Sequence, residues 1–190
     1  GAVLVDGLRS ERRVELKSAR ASIVTEVDIA SQAAIFEVIG DAFPAHAILG
    51  EEGDGGGPDP TYTWIVDPLD GTSNYASGIP FACVSVAVKD ADGVVAGAIF
   101  EPFREELFTA RRGEGAWLDG APMSVSDNPA VERALVATGL QSDDPDQIRA
   151  HARRVETLHL HSRGARAFGS PALCLAYVAA GRLDAFYERD

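Results

Sequence analysis

The 190-residue sequence predicts an α+β fold, in which helices form layers against a largely antiparallel sheet within a single domain, 1–190. Three observations support this fold class. Helical and strand-like segments are interspersed along the chain, several strand-like segments are joined by tight turns, and no repeat or linker divides the sequence. With 46% hydrophobic and 24% charged residues, the composition is that of a globular protein and excludes a disordered or fibrous one.

The strongest helical pattern covers residues 25–42. Thr25 and Asp28 form a capping pair at its start, and Pro44 stops it. We expect its apolar face to consist of the residues that recur at helical spacing, which are Val27, Ala30, Ala34 and Val38.

The other elements follow from local composition. β-Branched and aromatic runs predict strands, and clusters of glycine and proline predict turns, notably a loop over residues 51–60 and a hairpin turn at 90–93. The strand that begins at Tyr62 is expected to end at Asp67-Pro68. The predicted strands are 47–49, 62–66, 81–89, 94–100, 106–110, 115–118, 134–138 and 183–187, and the two further helices are 146–159 and 170–180.

Charge is unevenly distributed in this acidic chain, which has 17 Lys and Arg against 29 Asp and Glu and a net charge of −12. That balance argues against a nucleic-acid or anionic-membrane partner, because polyanions are bound mainly by Lys and Arg. Residues 21–88 contain ten acids and no Lys or Arg. Carboxylates that converge there need protonation, solvent or bound cations. We expect solvated roles for four of them, Glu37, Asp41, Asp54 and Asp59.

The most informative segment is Trp-Ile-Val-Asp-Pro-Leu-Asp-Gly-Thr-Ser-Asn-Tyr, residues 64–75. A strand delivers Asp67 at its end and Asp70 follows three residues later, so the two carboxylates can face one hard cation such as Mg²⁺. Backbone N–H groups of Gly71 and Thr72 could hold an anion. Taken alone, the segment is equally compatible with a Pro-Asp-Gly turn capped by Asp70.

Sixteen residues before Asp67, Glu51 opens the sequence Glu-Glu-Gly after another apolar run. Together with the segment 64–75, Gly-Glu-Glu at 50–52 resembles the signature of the inositol monophosphatase family, which comprises Mg²⁺-dependent, lithium-sensitive sugar-phosphate phosphatases. The likeness extends over nearly the whole chain, through Val-Thr-Glu-Val-Asp at 24–28, Gly-Glu-Gly-Ala at 113–116, Phe-Gly-Ser at 168–170 and Gly-Arg-Leu-Asp-Ala at 181–185.

The resemblance implies a role for each matching residue. The metal ligands would be the carboxylates of Glu51, Asp67 and Asp70 and the backbone carbonyl of Leu69. Glu51 would also help to activate the attacking water. Thr72, with Asp28 as its partner, would position the attacking water, and the N–H groups of Gly71 and Thr72 would bind the phosphate. The alcohol part of the substrate would lie against Gly169, Ser170 and Glu188. Lys17 would lie near the site.

The resemblance further implies a cytoplasmic homodimer that hydrolyses a small phosphorylated substrate. Inositol 1-phosphate is the leading substrate, with histidinol phosphate, fructose 1,6-bisphosphate and 3′-phosphoadenosine 5′-phosphate as alternatives. A reducing cytoplasm also fits the two cysteines, Cys83 and Cys174, which stand among apolar neighbours, and the lack of a signal-like N-terminal segment.

A rival hypothesis is a truncated, non-catalytic homologue that binds a metal ion or phosphate. Family members carry a further metal-binding Asp in a Trp-Asp motif beyond the position of Glu188, followed by a C-terminal α/β half. This sequence stops at Asp190, before either feature, and its only methionine is Met123. On this basis we expect the sequence to be a fragment of the family fold.

Overall fold

A computed structural model describes residues 1–8, 14–16 and 23–188. Lys17 and Asp190 lie outside the described residues. The helices within these ranges are α1 (Ala2–Leu8), α2 (Glu26–Ala42), α3 (Thr72–Ala76), α4 (Pro145–His161) and α5 (Pro171–Ala179), with a 3₁₀ turn at Val131–Arg133.

Strands make up most of the remaining described structure. In chain order they are β1 (Val14–Leu16), β2 (Ile23–Thr25), β3 (His46–Gly50), β4 (Gly55–Gly56), β5 (Asp59–Asp70), β6 (Cys83–Asp90), β7 (Gly93–Glu101), β8 (Glu106–Arg111), β9 (Gly115–Leu118), β10 (Ala121–Pro122), β11 (Leu135–Gly139), β12 (Gly164–Arg166) and β13 (Ala185–Glu188).

The main sheet has eight strands in the order β10-β9-β8-β7-β6-β5-β3-β4. All neighbours pair antiparallel except β3 and β5, which are parallel. The prediction of an α+β sandwich with a largely antiparallel sheet is therefore confirmed. The sequence did not predict the separate three-stranded sheet β12-β11-β13, in which both pairings are parallel. β1 and β2 form a third, two-stranded antiparallel sheet.

Helix α2 begins as predicted, because Thr25 caps it and forms a reciprocal capping box with Asp28. The predicted apolar face is wrong except at Val27. Val38 is 70% exposed, whereas Ser31 and Gln32 are buried. The polar face is turned inward because it hydrogen-bonds to the backbone beside β3 and β5: the Ser31 hydroxyl donates to the carbonyl of Pro68 at 3.0 Å, and the Gln32 amide oxygen accepts from the N–H of Glu52 at 2.9 Å.

Strand β5 is longer than the sequence predicted. It starts at Asp59, inside the expected loop, and continues past Asp67 to Asp70. Its pairing with β6 shifts register between Asp67 and Asp70, so the chain bends there without leaving the sheet. The expected loop 51–60 also contains β4, whose two glycines pair with β3. Glycine-rich composition alone did not reveal this pairing, because β4 is held by its partner strand and not by local propensity.

The core lies on both sides of the main sheet. On one side α1 and α2 cover β5 and β6, with Leu4, Leu69 and Tyr75 fully buried. The Tyr75 hydroxyl donates to the carbonyl of Leu4 at 2.6 Å and so joins α3 to α1. On the other side α5 packs through Leu173 against Phe81, Cys83 and Phe108. Among the described residues, none of the helices combines the length and hydropathy that a membrane span requires.

Candidate active site

A cavity of about 390 Å³ lies where β3, β5, α3 and α5 meet. The chain reaches it after β3 at Glu51, through the bent end of β5, and through the turn that starts α3. The residues that line the cavity are Glu51, Asp67, Leu69, Asp70, Gly71, Thr72, Ser73, Gln141, Gly169, Pro171, Ala172 and Leu175. The structure therefore brings the predicted residues Glu51, Asp67, Leu69, Asp70, Gly71, Thr72 and Gly169 to one cavity.

Gly71 makes the turn from β5 into α3 with a left-handed backbone, at φ 96°. A Cβ atom at this position would lie 2.9 Å from the carbonyl oxygen of Phe81. Both the conformation and the close approach require glycine. This turn places the N-terminus of α3 on the cavity.

The Thr72 hydroxyl lies between two acceptors, Asp28 Oδ1 at 3.3 Å and the carbonyl oxygen of Leu69 at 3.0 Å. Asp28 is 1% exposed, and its other oxygen accepts from the N–H and hydroxyl of Thr25. Burial raises the pKa of Asp28 above its usual value, although the hydrogen bonds from Thr25 and Thr72 act in the opposite direction. The predicted pair thus combines a hydroxyl at the cavity with a buried carboxylate of raised proton affinity.

Asp67 has the most strongly shifted carboxyl group in the cavity. Burial raises its pKa to about 8, and the neighbouring carboxylates of Asp70 and Glu51 add to the shift. The N–H of Leu69 donates to Asp67 Oδ1 at 3.1 Å. The neighbouring carboxylates thus add to burial in disfavouring the ionised form of Asp67.

Asp70 is held through one oxygen. Its Oδ2 accepts from the Ser170 hydroxyl, from the N–H of Ala172 at 2.8 Å and from the Cys83 thiol at 3.8 Å. Burial raises the pKa of Asp70, while the donors from Ser170 and the first turn of α5 lower it. Neither Ser170 nor Ala172 is near Asp70 in sequence, so spacing along the chain could not have revealed this contact.

The donor set fits a hard divalent cation, because three carboxylates and the Leu69 carbonyl border the same cavity and all offer oxygen. In the described part of the chain, no three His, Cys, Asp or Glu side chains converge closely enough to hold a metal ion as they stand. Burial raises the pKa of Asp67 and repulsion from the neighbouring carboxylates adds to the shift; a cation between the carboxylates would relieve that repulsion.

A second cavity of about 70 Å³ adjoins the first and shares Gln141, Gly169 and Pro171 with it. Glu188 lines this smaller cavity. A Cβ atom on Gly139 would lie 2.8 Å from Glu188 Oε1, so the carboxylate rests against the end of β11. Ser170 also borders this cavity, although it is fully buried and its hydroxyl donates to Asp70.

Three residues at the site were not singled out from the sequence as functional. Asn74 donates to the carbonyls of Phe81 at 2.9 Å and Phe168 at 2.6 Å, so it ties α3 to the segment before α5. Cys83 contacts Asp70, and Gln141 lines both cavities. Asn74 stands inside the segment 64–75, and that position was its only signal.

The fold and the acidic cavity define an α+β protein whose candidate site offers oxygen ligands to a hard divalent cation. A family model described as "Inositol monophosphatase family" matches residues 1–190. The chain belongs to the inositol monophosphatase family.

Known proteins support this assignment. The chain is 39% identical to an inositol-1-monophosphatase of Caulobacter vibrioides over 187 residues, which is 95% of this chain and 72% of that protein. It is 42% identical to a protein named Nus factor SuhB of Pseudomonas aeruginosa over 170 residues, 87% of this chain and 63% of that protein. The crystal structure of the extragenic suppressor protein suhB from Bartonella henselae superposes with a TM-score of 0.93 at 36% identity, covering 100% of this chain and 73% of that one. The chain thus spans between 63% and 73% of the length of these relatives.

Proposed function

We propose that this protein is a Mg²⁺-dependent phosphatase that hydrolyses a small polyol phosphate monoester, with inositol 1-phosphate as the leading substrate. One observation carries the proposal: three carboxylates border the same cavity as Thr72, whose hydroxyl donates to the buried carboxylate of Asp28. Membership of the family supports the reaction class. The alcohol is less constrained, so histidinol phosphate, fructose 1,6-bisphosphate and 3′-phosphoadenosine 5′-phosphate stay as alternatives.

Glu51, Asp67, Asp70 and the carbonyl of Leu69 would hold the metal ions. When bound, Mg²⁺ neutralises phosphate oxygens and lowers the pKa of a water molecule. Without a bound cation, the carboxylates make the cavity acidic, and an acidic cavity repels a phosphate dianion. Substrate and cation are therefore expected to bind together.

Thr72 and Asp28 would position the attacking water and move its proton. A hydroxyl that donates to Asp28 has lone pairs available for a water proton, so Thr72 can accept from the water while it donates to the carboxylate. The raised pKa of Asp28 favours this direction, because a more basic carboxylate accepts a proton more readily. Thr72 alone lacks the basicity for this role.

The N–H groups of Gly71 and Thr72 would hold the phosphate, and Gly169 and Glu188 would lie against the alcohol. Both assignments rest on the family resemblance and on the positions of these residues around the two joined cavities. Lithium inhibition, a homodimer and a cytoplasmic location are proposed on the same resemblance. The location also fits the two cysteines, both of which are free and buried.

The test is phosphate release from the four candidate substrates, with and without Mg²⁺. Asp70→Asn should abolish release while circular dichroism shows an intact fold, and Asp41→Asn, an exposed acid on α2, is the matched control that should keep full activity. Added lithium should inhibit the wild type. Full activity of Asp70→Asn would refute the assignment, and silence of folded wild-type protein on every substrate would favour the non-catalytic binding protein.

The identity with the Pseudomonas relative favours a second candidate, which is the Nus factor role that its name gives. The two roles can be separated by complementation of that relative's loss with wild-type protein and with Asp70→Asn. Rescue by both proteins would indicate a Nus factor role that does not depend on hydrolysis.

A further inference from the structure

The carboxylate of Asp70 is the point where distant parts of the chain meet at the candidate metal site. The Ser170 hydroxyl and the N–H of Ala172 come from the start of α5, 100 and 102 positions along the chain. The Cys83 thiol comes from β6, 13 positions after Asp70. All three donate to the same atom, Oδ2, so the orientation of the carboxylate is set from outside its own strand.

The hydrogen bonds to Oδ2 of Asp70 also fix the direction of its other oxygen, Oδ1. A carboxylate whose Oδ2 is engaged by a hydroxyl and a backbone N–H cannot rotate without losing both hydrogen bonds inside a buried environment, where unmet polar groups are costly. Its Oδ1 is then presented in one direction. Since Asp70 lines the larger cavity, this geometry suits a ligand that binds a cation through a single oxygen.

We propose that Ser170 is a positioning residue for the metal site, which acts by orienting the carboxylate of Asp70 and does not bind the substrate through its hydroxyl. The proposal rests on the proposed metal role of Asp70. It revises the role that the family resemblance assigned to the Ser170 side chain, and leaves Gly169 and Glu188 as the groups on the alcohol side.

The burial and partners of Ser170 support positioning over substrate contact. Ser170 is 0% exposed, and its hydroxyl proton is engaged by Asp70. The Cys83 sulfur lies 3.8 Å from the Ser170 hydroxyl oxygen, so the hydroxyl is enclosed by protein on that side as well. A substrate group could contact the Ser170 hydroxyl only by donating to its oxygen, and the complete burial of Ser170 leaves no exposed surface for that contact.

Groups that orient metal ligands typically change metal affinity 10- to 100-fold when they are removed. We therefore expect Ser170→Ala to bind Mg²⁺ and Mn²⁺ roughly tenfold more weakly in calorimetric titrations of the full chain. Ser170→Thr keeps the hydroxyl and should restore most of the affinity. In turnover assays the half-saturating Mg²⁺ concentration should rise similarly, while the substrate KM at saturating Mg²⁺ stays near the wild-type value.

Ser126→Ala is the matched control. Ser126 also donates its hydroxyl to an aspartate, Asp184 Oδ1 at 2.7 Å, but neither residue lines either of the two cavities. It should lower thermal stability about as much as Ser170→Ala and leave metal affinity unchanged. This comparison separates a general loss of a Ser–Asp hydrogen bond from a specific effect on the metal site.

The outcomes distinguish this proposal from the proposed function. Wild-type metal affinity in Ser170→Ala, or equal loss in the Ala and Thr variants, would overturn the positioning role. A rise in substrate KM with unchanged metal affinity would instead make Ser170 a substrate contact and overturn it as well. Wild-type protein that binds neither Mg²⁺ nor Mn²⁺ would refute the metal role of Asp70 itself.

Discussion

Asp28 performs two tasks at once, and substitutions there can separate them. One oxygen completes the capping box of α2 with Thr25, and the other accepts from Thr72 at the cavity. Asparagine retains one oxygen, which can continue to accept from Thr25, and places an NH₂ group toward Thr72. Asp28→Asn should therefore keep the helix cap while removing the proton acceptor behind the Thr72 hydroxyl.

The expected magnitudes differ between the two tasks. General acid–base groups typically contribute about 10²- to 10⁴-fold, so kcat of Asp28→Asn should fall at least about 100-fold. Its stability should fall by only about 1 kcal/mol, since the amide oxygen of asparagine can keep the hydrogen bond from the N–H of Thr25 that closes the capping box. Asp28→Ala should cost more, roughly 2–4 kcal/mol, because it removes the Asp28 half of the capping box and leaves the N–H and the hydroxyl of Thr25 without this acceptor.

The assay combines urea unfolding with phosphate release at saturating Mg²⁺. Asp144→Asn provides the control: Asp144 caps α4 by accepting from the N–H of Asp146 at 2.8 Å, and it lies outside the candidate site. It should change neither kcat nor stability by a measurable amount. A wild-type kcat in Asp28→Asn would refute the proton path, and a cost for Asp28→Ala no larger than that for Asp144→Ala would refute the argument from burial.

Three further predictions concern stability. The pKa of Asp184 is lowered, mainly by the hydrogen bond from the Ser126 hydroxyl, so ionised Asp184 stabilises the fold above its unfolded pKa and this stabilisation is lost as the pH falls through the folded pKa. The Tm difference between wild type and Asp184→Asn should therefore be full at neutral pH and shrink below about pH 4. A Tm difference that does not change with pH would contradict this. Gly71→Ala should cost about 1–3 kcal/mol in chemical unfolding, more than Gly93→Ala, because both have positive φ but only Gly71 meets backbone atoms; equal costs would exclude the clash. Tyr75→Phe should cost about 1–2 kcal/mol by removing its buried donor to Leu4, and an unchanged denaturation midpoint would count against that bond.

The antiparallel part of the fold could be predicted because its determinants are local. The hairpin between β6 and β7 follows from two β-rich runs around the turn at residues 90–93, and β9 was predicted with its observed bounds. The parallel sheet is different. Its strands, β11, β12 and β13, pair with one another although helices separate them in sequence, and β12 has only three residues. No local sequence pattern therefore predicted this sheet.

The inward face of α2 shows why periodicity alone was insufficient. The sequence offers small and apolar residues at helical spacing, yet Ala30, Ala34 and Val38 are exposed. The opposite face carries Ser31, which donates to the backbone of β5, and Asp28, which accepts from Thr72 at the cavity. A helix that supports a functional site can bury polar groups when each has a partner, and those partners come from elsewhere in the sequence.

The same division applies to the candidate site. The residue types and their spacing predicted which groups gather there, because the end of β5 and the turn after it carry most of them within a few positions. The state of each group depends on donors from distant segments: Thr72 faces Asp28 across 44 positions, and Asp70 faces Ser170 across 100. Two aspartates only three residues apart consequently differ, with Asp67 left among carboxylates and Asp70 secured by α5. The sequence indicates which carboxylates meet at this site, but the packing of α5 against β5 determines which oxygen of Asp70 is held by hydrogen bonds.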